Sequence, residues 1–181
     1  MVLEIELTQE KTALIDDLDG DIANWRWKAC TNKPNDLELF YAVKSIYLNG
    51  KSTSIRMHRL IMERILGRKL KLGEQADHIN SNSLNNCRAN LRLATHGENC
   101  QHRRKTLSET SSRFKGVSWH SRAKKWYAEI QFEGKQKSLG YFESEEEAAR
   151  AYDRAALEYF GNYFLLNFPL VEYLAPVQAD A

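Results

Sequence analysis

The sequence predicts an α+β fold assembled from small pieces, and three observations point to it. Apolar runs are short and separated by turn signals such as Asp19-Gly20, Asn49-Gly50 and Glu133-Gly134, which favours strands and hairpins. Helical spacing of apolar residues is confined to a few stretches, best developed at 57–66 and 144–160. The net charge of +2 averages over blocks of opposite sign. Residues 1–40 carry four Lys/Arg against nine Asp/Glu, 41–100 ten against four, 101–137 ten against three, and 138–181 two against eight. A central basic region between acidic ends fits a polyanion-binding surface.

The elements follow in order. Val2, Ile5 and Leu7, then Ala13-Leu14-Ile15, alternate with acidic turns, and Trp25-Arg26-Trp27 reads as a strand with both indoles on one face. Phe40-Tyr41-Ala42-Val43 and Ser45-Ile46-Tyr47-Leu48 supply a further strand pair, followed by Asn49-Gly50 and Thr53-Ser54-Ile55. These aromatics are read as core, because so small a unit needs large side chains to bury. Met57, Leu60, Ile61 and Ile65 share one face of a helix that Gly67 closes, and His58 near its start is read as structural. Strands are expected at 75–79 and 91–94 with an Asn/Ser-rich loop at 80–87, then a helix from His96 capped by Thr95 and Glu98. Residues 106–112 are Ser/Thr-rich without periodicity, a linker. Beyond it come strands at 116–119, 125–132 and 135–142. A helix follows, with Ser144 as N-cap, Glu147 completing a capping box, and a packing face of alanines and tyrosines up to Tyr159.

Several classes are disfavoured. No apolar run approaches eighteen residues and the N-terminus has no basic, apolar and small-residue sequence of a signal peptide, so a soluble, cytoplasmic protein without a membrane partner is expected. Cys30, Cys87 and Cys100 are odd in number and form no C-x-x-C pair, which argues against a disulfide framework or a cysteine-rich zinc site.

The chemistry concentrates at 77–104. His78 follows a carboxylate, Asp77, and an imidazole with an ordinary pKa near 6.5 can deprotonate water at neutral pH. Asn90 can accept the imidazole N–H through its amide oxygen and so fix the tautomer. Asp77 and Asn99 offer a carboxylate and an amide oxygen, donors suited to Mg²⁺ or Mn²⁺. Arg88, Arg92, Arg103, Arg104 and Lys105 surround them with phosphate-neutralising charge. Together these are the requirements of phosphodiester hydrolysis. Adjacent residues of a regular strand face opposite ways, so Asp77 and His78 converge on one phosphate only if the strand bends or ends there.

Asp77-His78-Ile79-Asn80, Leu84-Asn85-Asn86, Asn90-Leu91-Arg92-Leu93-Ala94-Thr95 and Glu98-Asn99 resemble the His-Asn-His (HNH) endonuclease motif of phage and intron-encoded homing endonucleases, in its His-Asn-Asn form. The resemblance implies a ββα-metal fold with His78 as general base, Asp77 and Asn99 on the metal and Asn90 orienting the base. His102, three residues after Asn99, is not assigned to the site. Phe114-Lys115-Gly116-Val117, Lys125-Trp126-Tyr127-Ala128-Glu129-Ile130, Leu139-Gly140-Tyr141-Phe142, Glu147-Ala148-Ala149-Arg150-Ala151-Tyr152-Asp153 and Leu166-Asn167-Phe168-Pro169 are similar to the ethylene-response-factor (ERF, apetala-type) DNA-binding domain. That likeness implies a three-stranded sheet laid in the major groove of double-stranded DNA. On its contacting face it puts Arg113, Lys115, Trp119, Arg122, Lys124, Lys125, Lys135 and Lys137. Ser118, Gln131, Gln136 and Ser138 stand where plant members often carry arginine or tryptophan, so the preferred base sequence is not expected to transfer.

The expected organisation is therefore a β-rich unit at 1–56, a nuclease unit at 57–105, a linker at 106–112, a DNA-binding domain at 113–170 and a tail at 171–181. The expected function is site-specific, Mg²⁺- or Mn²⁺-dependent DNA cleavage. One catalytic unit per chain nicks a single strand, and cutting both calls for self-association or sequential attack. A DNA-binding regulator with an inactive nuclease unit is the alternative.

Overall fold

The computed structural model describes residues 1–31, 39–103, 105 and 110–174. The chain divides into two compact units, Met1–His96 and Gly97–Ala181.

In the first unit, β1 (Val2–Glu6) and β2 (Thr12–Asp16) form an antiparallel hairpin, and a short 3-10 turn, Asp17–Ile22, follows. β3 (Lys28–Cys30), β4 (Tyr41–Leu48) and β5 (Lys51–Arg56) make a three-stranded antiparallel sheet in that order. The Trp25–Trp27 stretch is not a strand. Its indoles stack with centroids 5.8 Å apart, and β3 begins one residue later. The two short runs expected around residues 40–48 merge into the single strand β4, joined to β5 through Asn49 and Gly50, both at positive φ as a tight hairpin turn requires. Helix α1 (Met57–Leu66) starts directly from β5 and ends at Gly67, whose left-handed φ of 65° a side chain would resist. β6 (Glu74–His78) and β7 (Leu91–Thr95) pair antiparallel, with Asp77 opposite Arg92 and His78 opposite Leu91.

The boundary expected at residue 56 falls inside a shared core. Ile5, Ala13, Ile15, Ile22 and Trp27 pack in one cluster with Met57, Ile61, Met62, Leu70 and Leu91. Ile15, Met57 and Ile61 are fully buried, and burial of such side chains stabilises a fold by roughly 1.5–3 kcal/mol each. Polar contacts join the same parts. Buried Asp19 accepts from Arg88 Nε at 2.7 Å, Arg88 Nη2 at 3.0 Å and Arg64 Nη1 at 3.1 Å. Burial opposes ionisation of Asp19, yet the two guanidiniums hold its carboxyl below the usual range. The N-terminal strands therefore belong to the scaffold of the 77–95 segment.

In the second unit, β8 (Val117–His120), β9 (Lys125–Phe132) and β10 (Lys135–Phe142) form an antiparallel sheet with β9 central. Helix α2 (His96–Gln101) precedes it, beginning at the last residue of the first unit. Helix α3 (Glu145–Tyr159) starts with the expected capping box between Ser144 and Glu147. Ala148, Ala149, Ala155 and Ala156 let it lie close to the sheet, over Val117, Ala128 and Ile130. Gly116 is required here: at φ 74° an added Cβ would meet the Tyr152 ring at 2.0 Å. The expected linker is partly anchored, since Ser111 Oγ accepts from Trp119 N–H and Ser112 Oγ from Phe114 N–H; its residues 106–109 lie outside those described. The expected tail begins with a helical turn, α4 (Val171–Leu174), held by Tyr173 Oη donating to buried Asp153 and by Arg150 pairing with Glu172. Among the described residues no helix is long and apolar enough to cross a membrane.

Candidate active site and nucleic-acid interface

β6 delivers Asp77 and His78 at its C-terminal end, both only 6% exposed. The strand stops at His78, whose carbonyl accepts from Ser81 N–H at 2.9 Å across a turn in which Ser81 takes φ 59°. The two side chains meet different partners. Asp77 Oδ2 receives Arg92 Nε at 2.8 Å and Nη2 at 2.7 Å, the cross-strand neighbour on β7. The His78 ring lies against His58, against Tyr41, and within 3.2 Å of Asn86 Oδ1 through Nε2.

Asn86 fixes the chemistry of that ring. Its side chain is fully buried and its amide nitrogen donates to the Leu84 carbonyl at 3.0 Å and towards Met57 Sδ at 3.3 Å. The oxygen therefore faces His78, so Nε2 carries a proton. Asn86 is itself held by the N-terminal hairpin: its N–H donates to Leu14 O at 2.8 Å, while Leu14 N–H donates to Leu84 O at 2.9 Å. Arg88 N–H donates to Asp16 Oδ2 at 2.7 Å one turn later.

Asn90 sits elsewhere in this loop. Its Oδ1 accepts from Asn80 N–H at 3.0 Å and its Nδ2 donates to Asn85 O at 2.7 Å, so its amide braces the two ends of the 80–90 loop. The contact with the His78 ring that was expected of Asn90 is made by Asn86. In the sequence Asn86 stands in the Leu84-Asn85-Asn86 part of the nuclease motif without a role of its own. Burial is the distinguishing property, and it depends on β2.

Metal donors are sparse. Among the described residues no group of three or more His, Cys, Asp or Glu could hold a metal ion. Asp77 offers a hard carboxylate, and Arg92 is a built-in competitor for it. Asn99, on α2, offers a hard amide oxygen; it lies in the second unit and Asp77 in the first. Each is an oxygen donor of the kind that Mg²⁺ or Mn²⁺ takes and a soft ion does not. His102 is buried, one residue beyond the end of α2.

The cations expected to meet DNA divide by surroundings. Arg88 is committed to Asp19 and Arg92 to Asp77. Lys105 Nζ donates to the carbonyls of Phe114 and Val117, and Lys115 Nζ to that of Gln101, so both ammoniums serve the backbone. Burial pulls Lys115 down to about 8 and lowers Lys105 as well. Arg113 lies over the Phe114 ring, and Arg104 is outside the described residues. Arg103, Arg122, Lys124 and Lys135 are exposed.

Register sorts the sheet residues further. Trp119 pairs with Trp126 and Lys137 with Ile130, on the side of the sheet that α3 covers, and Lys137 Nζ donates to Tyr159 Oη on that helix. Lys135, opposite Phe132, shares that side. The open side carries His120, Lys125, Tyr127 and Tyr141, with rings of His120, Tyr127 and Tyr141 mutually 5.1–6.4 Å apart. Ser118, Glu129, Gln131, Gln136 and Ser138 lie on the same side. Lys125 there pairs with Glu143 at 2.7 Å. His120, Tyr127 and Tyr141 were not anticipated; alternation counted from buried Val117 and Ala128 places His120 and Tyr127, whereas the register irregularity between Ser138 and Gly140 is what turns Tyr141 to this side.

An HNH endonuclease family model matches residues 56–101, and an AP2 domain model matches residues 112–162. An uncharacterized HNH endonuclease of Acanthamoeba polyphaga mimivirus is 34% identical over 113 residues, 62% of this chain and 57% of that protein. APETALA2-like protein 2 of Oryza sativa is 43% identical over 63 residues, 35% of this chain and 14% of that protein. An AP2-like ethylene-responsive transcription factor of Arabidopsis thaliana is 60% identical over 40 residues, 22% of this chain and 13% of that protein. The chain thus spans little more than half of the viral relative and a small part of the plant ones.

Proposed function

We propose that this chain, which carries an HNH endonuclease domain over residues 56–101 and an AP2 DNA-binding domain over residues 112–162, is a metal-dependent, site-specific DNA endonuclease of the homing type. The observation that carries the reading is buried His78 at the end of β6, beside Asp77, with its Nε2 3.2 Å from the side-chain oxygen of buried Asn86. In this reading Nδ1 takes a proton from the attacking water, and the new bond forms at phosphorus as the P–O bond opposite breaks. Asp77 and Asn99 would hold a Mg²⁺ or Mn²⁺ ion, which when bound supplies charge stabilisation for the leaving oxygen. Asn90 keeps the 80–90 loop closed beneath His78, and Asn86 orients the base. Exposed Arg103, Arg122, Lys124 and Lys135 neutralise phosphates, and the open face of the second unit's sheet meets the base edges of double-stranded DNA. A single catalytic unit per chain makes a nick, and paired cleavage follows from self-association.

A DNA-binding regulator with a silent nuclease unit is the second reading. The Arg92–Asp77 ion pair favours it, because a guanidinium already occupies the carboxylate that a metal needs. Supercoiled plasmid incubated with the purified chain separates the two. Conversion to the relaxed form with Mg²⁺, absent with chelator and absent in His78→Ala, supports the endonuclease. Tight binding without conversion at any Mg²⁺ or Mn²⁺ concentration supports the regulator.

A further inference from the structure

We propose that His58, on the first turn of α1, is a positioning residue that sets the plane of the His78 ring; the inference rests on His78 being the general base. Sequence alone gives His58 only a structural reading. In the structure its ring stands edge-on to that of His78, with centroids 5.0 Å apart and an interplanar angle of 64°. That is the separation and tilt at which aromatic rings attract through edge and face. Tyr41 on β4 packs against both rings, 5.3 Å from His58 and 6.5 Å from His78, so the three rings form one cluster that restricts the rotation of each.

What holds His58 there is the ring contact itself. Its Nδ1 is buried and has no hydrogen-bond partner among the described residues, although its residue is only 8% exposed. An orphaned buried nitrogen destabilises the fold. A phenylalanine would remove that penalty while keeping a planar aromatic ring. Neutrality follows from the surroundings: burial first, then His78, Arg56 and Arg59, bring the His58 pKa to about 3. A neutral ring at this distance neither repels a proton arriving on His78 nor competes for it at neutral pH.

The neighbouring residue strengthens the case. Met57, fully buried, receives the Asn86 amide at its sulfur, and Asn86 in turn holds His78 Nε2. Consecutive residues at the start of α1 thus reach His78 by two routes, one directly through a ring and one through an amide. The first pins the plane of the imidazole, the second its tautomer. β5 runs straight into α1 at Arg56, so both anchors are fixed by a strand on one side and the helix on the other.

The test compares full-length His58→Phe, His58→Leu and His58→Ala with the parent and with His78→Ala, in single-turnover nicking of supercoiled plasmid with Mg²⁺. Thermal unfolding fixes the folded fraction of each. If ring orientation is what His58 supplies, His58→Phe stays within about threefold of the parental rate, while His58→Leu and His58→Ala lose roughly 10- to 100-fold in the maximal rate. The DNA concentration giving half-maximal rate stays within about twofold in all of them, because no DNA contact is touched. A His58→Leu variant that is folded and nicks at the parental rate overturns the inference, and so does a loss confined to DNA affinity. His58→Phe losing as much as His58→Leu also overturns it, since the aromatic ring would then not be what matters. His78→Ala that nicks normally removes instead the reading of His78 on which the inference stands.

Discussion

Asn86→Leu removes the amide that faces the His78 imidazole while keeping nearly the same volume. His78 Nε2–H then loses its acceptor at 3.2 Å inside a site where Asn86 is fully buried. The Leu84 carbonyl keeps Leu14 N–H at 2.9 Å, so a single donor is stranded. One buried unpaired donor costs about 1–3 kcal/mol, and that is the expected loss of stability. The effect on rate is larger in proportion. With no acceptor the ring exchanges tautomers and tilts, and misplacement of a general base lowers the maximal rate by roughly 10²-fold. Asn86→Asp keeps an oxygen towards His78 and retains more activity than Asn86→Leu. Asn90→Ala separates the two amides, because it releases Asn80 and Asn85 and loosens the loop by about 1–2 kcal/mol, with a smaller loss of rate at equal folded fraction. Urea unfolding and single-turnover nicking of plasmid measure the two quantities. If folded Asn86→Leu nicks at the parental rate while His78→Ala is inactive, Asn86 does not orient the base.

Other expectations rest on separate contacts. Because the His58 pKa is depressed to about 3 from 6.5, the unfolded chain takes up the proton first as pH falls; stability is fully present above pH 6.5 and is lost towards pH 3. Between pH 6 and 5 this one site lowers stability by roughly 1 kcal/mol. His58→Phe flattens that slope, and an identical slope in parent and variant contradicts the assignment. Gly116→Ala forces a methyl into the Tyr152 ring and within 2.8 Å of the Glu129 carbonyl, and destabilises the second unit by roughly 3 kcal/mol or more. Near-ultraviolet circular dichroism of Trp119 and Trp126 reports it, and a parental spectrum and melting curve refute it. Arg122→Ala with Lys124→Ala weakens DNA binding across sequences and reduces the salt slope of affinity by about 1–2, as read by anisotropy over a salt series; an unchanged slope places the phosphate contacts elsewhere.

Local signals carried much of this fold, and the reason is visible in particular elements. β9 and β10 match the expected strands residue for residue, because an alternating pattern and the Glu133-Gly134 turn fix them without tertiary help. The α3 capping box and the Gly67 stop are equally local. Tertiary facts were out of reach. The hairpin of β1 and β2 does not stand apart; it holds the 84–86 segment through Leu14, and Asp19 reaches across the sequence to Arg88. Asn86 differs from Asn80, Asn82 and Asn85 only in being buried, a property set by that distant hairpin. Among the expected DNA contacts, Lys105 and Lys115 turn inward to carbonyls, which composition cannot distinguish from exposed lysines. Alternation counted from Ala128 could have sorted Trp119 from Tyr127, since the register is regular there.

Deprotonation of the attacking water by His78, proposed for a metal-dependent nuclease, is tested most directly by chemical rescue. His78→Ala is assayed on supercoiled plasmid with Mg²⁺, with and without added imidazole, at a matched folded fraction. Nicking falls by roughly 10²-fold or more in the variant, recovers in part with imidazole, and stays absent when Mg²⁺ is chelated. A folded His78→Ala protein that nicks at the parental rate contradicts the account.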